Sequence, residues 1–124
     1  MKIDTIPHHL VYENPALTVL KASRSVLLLQ GPVGPFFDRL TDWLLRRKIQ
    51  VHRIVFSGGD EYDCKAIKPI KFASKLEEWR EFYTTQCVQL KVDVVILFGQ
   101  SRVYHQDAIQ VAAELNLEVV VLEE

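Results

Sequence analysis

The chain has 124 residues, 48% apolar and 25% charged, which is the balance of one ordinary globular domain with enough core to stand without disulfides. Fifteen basic and 16 acidic residues leave a net charge of -1, so neither nucleic acid nor an anionic surface is implied as a partner. The apolar runs at 94–98 and 119–122 fall far short of the ~20 residues that span a bilayer, and the start, Met1-Lys2-Ile3-Asp4-Thr5-Ile6-Pro7, has no signal-peptide core. With only Cys64 and Cys87 in the chain, a reduced, cytoplasmic setting is expected.

Residues 1–24 carry scattered apolar residues, two prolines and polar breaks, and read as a leader strand or a partly flexible extension. Val26-Leu27-Leu28-Leu29 is a continuous apolar run stopped by Gly31-Pro32, the pattern of a strand buried on both faces, and the first core strand is placed at 26–30. Pro35 suits the first turn of a helix. Phe36, Phe37, Leu40, Trp43 and Leu44 follow at helical spacing, and Arg46-Arg47-Lys48 complement the negative helix end. Val51-His52-Arg53-Ile54-Val55-Phe56 is a second strand, ended by Ser57-Gly58-Gly59-Asp60.

A long loop runs from there to Ser74, with a short strand or turn near residues 67–72. Ser74 and Glu77 have the spacing of a capping box, and Leu76, Trp79, Tyr83, Cys87 and Leu90 form one apolar helical face behind it. Val92-Asp93-Val94-Val95-Ile96-Leu97-Phe98 is a third strand. Tyr104, Ala108, Val111, Ala112 and Leu115 mark a third helix, and residues 117–122 a fourth strand. Strands alternating with helices imply right-handed crossovers and a three-layer, Rossmann-like α/β domain with a parallel sheet covered on both faces. Four strands are expected over residues 25–124. The two most apolar, at 26–30 and 93–98, are placed side by side in the middle, giving the flavodoxin-like order 2-1-3-4.

Ligands of such sheets bind beyond the carboxyl ends of the strands, so four stretches are candidates for chemistry. Gly31-Pro32-Val33-Gly34-Pro35 leads into a helix N-terminus that favours an anion. It lacks the spacing of a dinucleotide or P-loop motif, and a rigid tight turn explains it equally well. Asp60 could accept hydrogen bonds from a sugar hydroxyl, or Gly-Gly-Asp could simply turn the chain. Arg102 could pair with a carboxylate or phosphate and His105 could transfer protons, against capping or packing roles for each. Glu123 and Glu124 close the last strand and are placed for general-base or nucleophilic work; the alternative is an exposed acidic tail. The four histidines and two cysteines lack metal-ligand spacing, no Gly-x-Ser-x-Gly elbow is present, and neither a metal nor a cofactor is expected.

Four stretches taken together carry a resemblance. They are Val26-Leu27-Leu28-Leu29-Gln30-Gly31-Pro32-Val33-Gly34-Pro35-Phe36-Phe37, Val51-His52-Arg53-Ile54-Val55-Phe56-Ser57-Gly58-Gly59-Asp60, Leu97-Phe98-Gly99-Gln100-Ser101-Arg102-Val103-Tyr104-His105 and Val120-Val121-Leu122-Glu123-Glu124. In these the chain resembles the N-terminal part of the capsule polysaccharide biosynthesis and export proteins of Gram-negative bacteria, which are regarded as keto-deoxyoctulosonate (Kdo) transferases.

The resemblance implies a longer parent protein of two Rossmann-like halves in the GT-B manner, of which residues 25–124 form the first. The cytidine-monophosphate (CMP) sugar donor is then expected mainly on the second half. Gly31, Pro32, Gly34, Asp60, Arg102 and His105 would line the cleft on the side of an acidic-sugar or lipid-linked acceptor. Glu124, with Glu123 beside it, would be the catalytic carboxylate. Where the family more often has Asp-Cys-Arg-Pro-Tyr-His, this chain has Gln100-Ser101-Arg102-Val103-Tyr104-His105, so no acid is carried over to position 100, while Arg102, Tyr104 and His105 match. Implied partners are the second domain and other capsule-assembly proteins, which could also hold the protein at the inner membrane. The competing reading is a non-catalytic, flavodoxin-like binding or scaffolding module in capsule assembly.

Overall fold

All five residues of Ser25–Leu29 (β1) are buried, as a strand covered on both faces requires. The computed structural model, which describes residues 15–29, 35–56, 62, 64–98 and 103–122, sets β1 in the middle of a parallel sheet. It pairs on one side with β2 (Gln50–Val55) and on the other with β4 (Val94–Phe98), so that Val26 lies between Val51 and Val94. A two-residue strand, β3 (Ile70–Lys71), adds outside β2, and β5 (Glu118–Leu122) adds outside β4. The four-stranded expectation is therefore corrected to five strands in the order β3-β2-β1-β4-β5. The added strand carries no apolar run of its own; it joins because the Phe72 N–H and its neighbours reach the free edge of β2 at the Val55 carbonyl.

Strand side chains alternate between two cores. Val26, Leu28, Val51, Val94, Ile96 and Val120 point to one face. There they meet Leu20 of helix α1 (Pro15–Ala22) and Phe37, Leu40, Trp43 and Leu44 of α2 (Phe36–Arg46). Leu27, Leu29, Ile54, Val95 and Leu97 point to the other face, against Trp79, Tyr83 and Cys87 of α3 (Trp79–Gln89) and Ala108 and Val111 of α4 (Val103–Glu114). The result is three layers, helices on each side of the sheet. Helix α1 falls in the stretch expected to be a leader strand or flexible extension; its Pro15 sits at the first position, where a proline is compatible with a helix.

The entry to α3 also differs from expectation. A 3-10 turn, Leu76–Glu78, precedes it, and the residue before that turn is Lys75, with no side-chain cap. Ser74 and Glu77 thus form no capping box, and Leu76, placed on the buried face by spacing, is 44% exposed. The tighter 3-10 turn rotates it off the stripe of Trp79, Tyr83 and Cys87.

Helices α2, α3 and α4 return to the sheet through one repeated turn. Lys48, Lys91 and Asn116 each take the left-handed conformation, with φ of 62°, 53° and 58°. In each case the next residue's N–H reaches back into the last helical turn: Ile49 to Leu44 O, Val92 to Cys87 O and Leu117 to Ala112 O. These are Schellman ends, and the apolar residue after each left-handed position begins the return to the core. At the same edge the Asp93 carboxylate accepts the Arg24 and Ser25 N–H groups at 2.8 and 3.0 Å, which fixes the start of β1 against β4.

Candidate functional site

The chain leaves β1 toward α2 on one face and leaves β4 toward α4 on the other. Adjacent parallel strands whose connections part in this way open a crevice at their carboxyl ends, and that is where an open sheet binds its ligands. Phe36 begins α2 and Phe98 ends β4, both partly buried against the first core. Of the residues singled out from the sequence, Gly31, Pro32, Gly34, Asp60, Arg102, Glu123 and Glu124 lie outside the described residues, as do Gln100 and Ser101. His105 is described, and so are the supports on which the other stretches rest.

Phe56, the last described residue before the 57–60 stretch, stacks on Tyr104, at the start of α4, with ring centroids 4.5 Å apart and planes 27° from parallel. Two of the candidate stretches are thereby held close together at their roots. Behind this pair, Trp79 packs edge-on against Phe56 at 5.0 Å, Phe72 at 5.1 Å and Tyr104 at 5.5 Å. Its Nε1–H donates to the Tyr104 carbonyl at 3.1 Å, and the Tyr83 hydroxyl donates to the Ala108 carbonyl at 3.2 Å. Both bonds tie the first turns of α4 to α3. Buried tryptophan and tyrosine need such partners, so the cluster fixes orientation as well as supplying apolar area. Arg80 adds an outer clasp between the helices, reaching Gln110 at 3.0 Å and Glu114 at 2.9 Å.

His105 is 0% exposed and shares its helical row with the buried Ala108 and Ala112, on the side of α4 that packs on the sheet. Its imidazole sits beneath the start of α4. Its place at the start of the helix made it a candidate, and its spacing from Ala108 and Ala112 is that of the buried stripe.

Sequence reasoning missed a polar pair on the opposite face. Arg53, in the middle of β2, is 1% exposed; its guanidinium lies 3.7 Å from the Asp38 carboxylate and 5.4 Å from the centre of the Phe37 ring. Asp38 belongs to the first turn of α2, where a negative charge complements the helix end. Its oxygens also accept the N–H groups of Lys65 at 3.0 Å and Ala66 at 3.1 Å. One carboxylate thus joins α2, β2 and the segment that follows the second candidate stretch. The signal was present: position 53 has the period-2 phase of Val51 and Val55, both buried, so its charge had to find a partner inside.

Burial pushes the Cys87 thiol up to about 11, the nearby Tyr83 hydroxyl lowering it only in part, and burial raises Tyr83 as well. Neither is a nucleophile at neutral pH. Among the described residues no group of three or more His, Cys, Asp or Glu could hold a metal ion, and no helix is long and apolar enough to cross a membrane.

No family model matches the chain, and no solved structure is significantly similar to it. Curated proteins are. The capsule polysaccharide modification protein LipB of Neisseria meningitidis, in strains of serogroups A and B, is 35% identical over 106 residues, covering 84% of this chain and 25% of LipB. The capsule polysaccharide export protein KpsS of Escherichia coli is 31% identical over 109 residues, covering 88% of this chain and 28% of KpsS. The chain spans about a quarter of the length of these relatives. Over the matched residues, 84–88% of its length, the chain belongs to the family of capsule polysaccharide modification and export proteins.

Proposed function

We propose that this chain lies in the N-terminal α/β half of a glycosyltransferase that adds Kdo from CMP-Kdo to a lipid or glycan acceptor during capsule assembly. The observation that carries the reading is the similarity, over 84% of the chain, to a protein named for capsule polysaccharide modification. The open parallel sheet supports it, because its carboxyl edge is where such a fold receives a ligand.

In this reading Gly31, Pro32 and Gly34 let the acceptor approach the start of α2, Asp60 takes a sugar hydroxyl, and Arg102 pairs with a carboxylate or phosphate. His105, buried under the first turn of α4, acts by holding that turn and the adjoining stretch in place. Glu124, with Glu123 beside it, is the carboxylate that takes the acceptor hydroxyl's proton, or attacks the sugar, as the bond to CMP breaks. The second half of the parent protein supplies the donor pocket and excludes water from the cleft.

The test is Kdo transfer from CMP-Kdo to a lipid acceptor by the protein as its gene encodes it, beside the 124-residue chain. Transfer by the encoded protein and none by the short chain is expected. Transfer by the short chain would overturn the two-half reading, and no transfer by either would favour a binding or scaffolding module.

A further inference from the structure

Among the described residues β5 has one sheet neighbour, β4. Their register sets Glu118 opposite Val94, and the Glu118 N–H donates to the Asp93 carbonyl at 3.1 Å. Alternate residues of a parallel strand bond to the same neighbour, so Glu118, Val120 and Leu122 turn their N–H and C=O groups toward β4. Val119 and Val121 turn theirs to the outer edge. That edge reads Val-Val-Val-Leu from 119 to 122, with none of the lysines or prolines by which exposed edges are usually blunted.

A second observation points the same way. On the α4 face, Leu27, Val95 and Leu97 are fully buried, whereas Ile109, Leu115, Leu117, Val119 and Val121 in the same cluster are only partly covered. On the β5 side of the sheet this partly covered margin runs over α4, β5 and the turn between them; the other partly covered members, among them Phe56, Ile70 and Phe82, lie toward the β2–β3 side. The passage from β4 through α4 to β5 moves away from β1 with its helix on this face. A further right-handed crossover in the same direction would put its helix on this face again. The handedness rule and the apolar margin thus choose the same side independently.

We infer that the sheet continues beyond β5. The sequence that follows in the gene-encoded protein supplies a helix that packs on Ile109, Leu115, Val119 and Val121, and a parallel strand that bonds to the outward groups of Val119 and Val121. The relatives, of which this chain spans 25–28%, have ample length for such a unit. Glu123 and Glu124 then follow an interior strand, and the first domain extends past residue 124. This inference concerns the fold and stands or falls separately from the transferase reading.

Hydrogen exchange on the 124-residue chain and on the encoded protein tests it. In the short chain the Val120 amide should be protected and the Val119 and Val121 amides should exchange fast. In the encoded protein those two should slow by at least ~100-fold, independently of protein concentration. Equal, fast exchange in both proteins would overturn the inference, as would a reading frame that closes at Glu124. Protection that fades on dilution would assign the edge to a second copy and overturn it too.

Discussion

The Arg53 guanidinium, 1% exposed in the middle of β2, lies 3.7 Å from the carboxylate of Asp38 in the first turn of α2. Removing one partner of a buried charged pair typically costs about 3–5 kcal/mol. Asp38→Ala should lower unfolding stability by that amount, and it also removes the acceptor of the exposed Lys65 and Ala66 N–H groups. The double variant Asp38→Ala with Arg53→Met should recover a large part of the loss, because no buried charge remains. Denaturant titration of the three proteins checks this; a double variant no better than the single one would show that the cost lies in the backbone contacts instead.

Trp79 is fully buried at the centre of the aromatic group that joins Phe56, Phe72 and Tyr104, while Trp43 covers the opposite face and carries the Arg47 guanidinium 3.9 Å above its ring. Truncating either should cost about 3–5 kcal/mol. Trp79→Ala should in addition loosen the start of α4, read as faster amide exchange in its first turn, whereas Trp43→Ala should not. Equal effects on α4 would mean that the cluster does not hold it.

Lys48 and Lys91 occupy left-handed positions that penalise any side chain with a Cβ. Lys48→Gly and Lys91→Gly should each raise stability by about 0.5–1 kcal/mol, after the extra unfolded-state entropy of glycine is subtracted. Asn116→Gly should gain less, since asparagine tolerates that conformation. Thermal melts of the three variants suffice, and a fall in melting temperature for Lys48→Gly would contradict the helix-end geometry.

His52, in the amino half of β2, has its Nε2 buried with no hydrogen-bond partner among the described residues, and burial lowers its pKa below the ordinary 6.5. Above that value both folded and unfolded states hold it neutral. As pH falls below 6.5, the unfolded chain takes up a proton that the folded chain resists, so stability declines until the folded pKa is passed. His52→Leu should therefore flatten the stability profile between about pH 7 and pH 5. An unchanged slope would place the acid sensitivity elsewhere.

The long strands were legible because burial on both faces demands unbroken apolar runs, which 26–29 and 94–98 supply. The two-residue β3 was legible only as a strand or turn, since an edge strand so short is selected by the free backbone of β2 and not by its own side chains. Helix α1 was hidden behind Pro15, and the start of α3 behind a Ser–Glu spacing that the chain does not use. At the site, the place of His105 at the start of a helix made it a candidate, while its full burial in α4 was not legible from the sequence. The Phe56–Tyr104 stack and the Arg53–Asp38 pair join residues 48 and 15 apart in sequence, and such partnerships are set by topology.

The central claim is that the protein encoded by this gene uses a carboxylate at the end of β5 to transfer Kdo. Its most direct test is the rate of transfer from CMP-Kdo to a lipid acceptor by the encoded protein carrying Glu124→Gln, a change that keeps size and most hydrogen bonding but removes the charge. The account predicts a fall of at least ~100-fold with folding unchanged. Near-normal turnover by the variant would contradict it and leave Glu124 a strand-end residue.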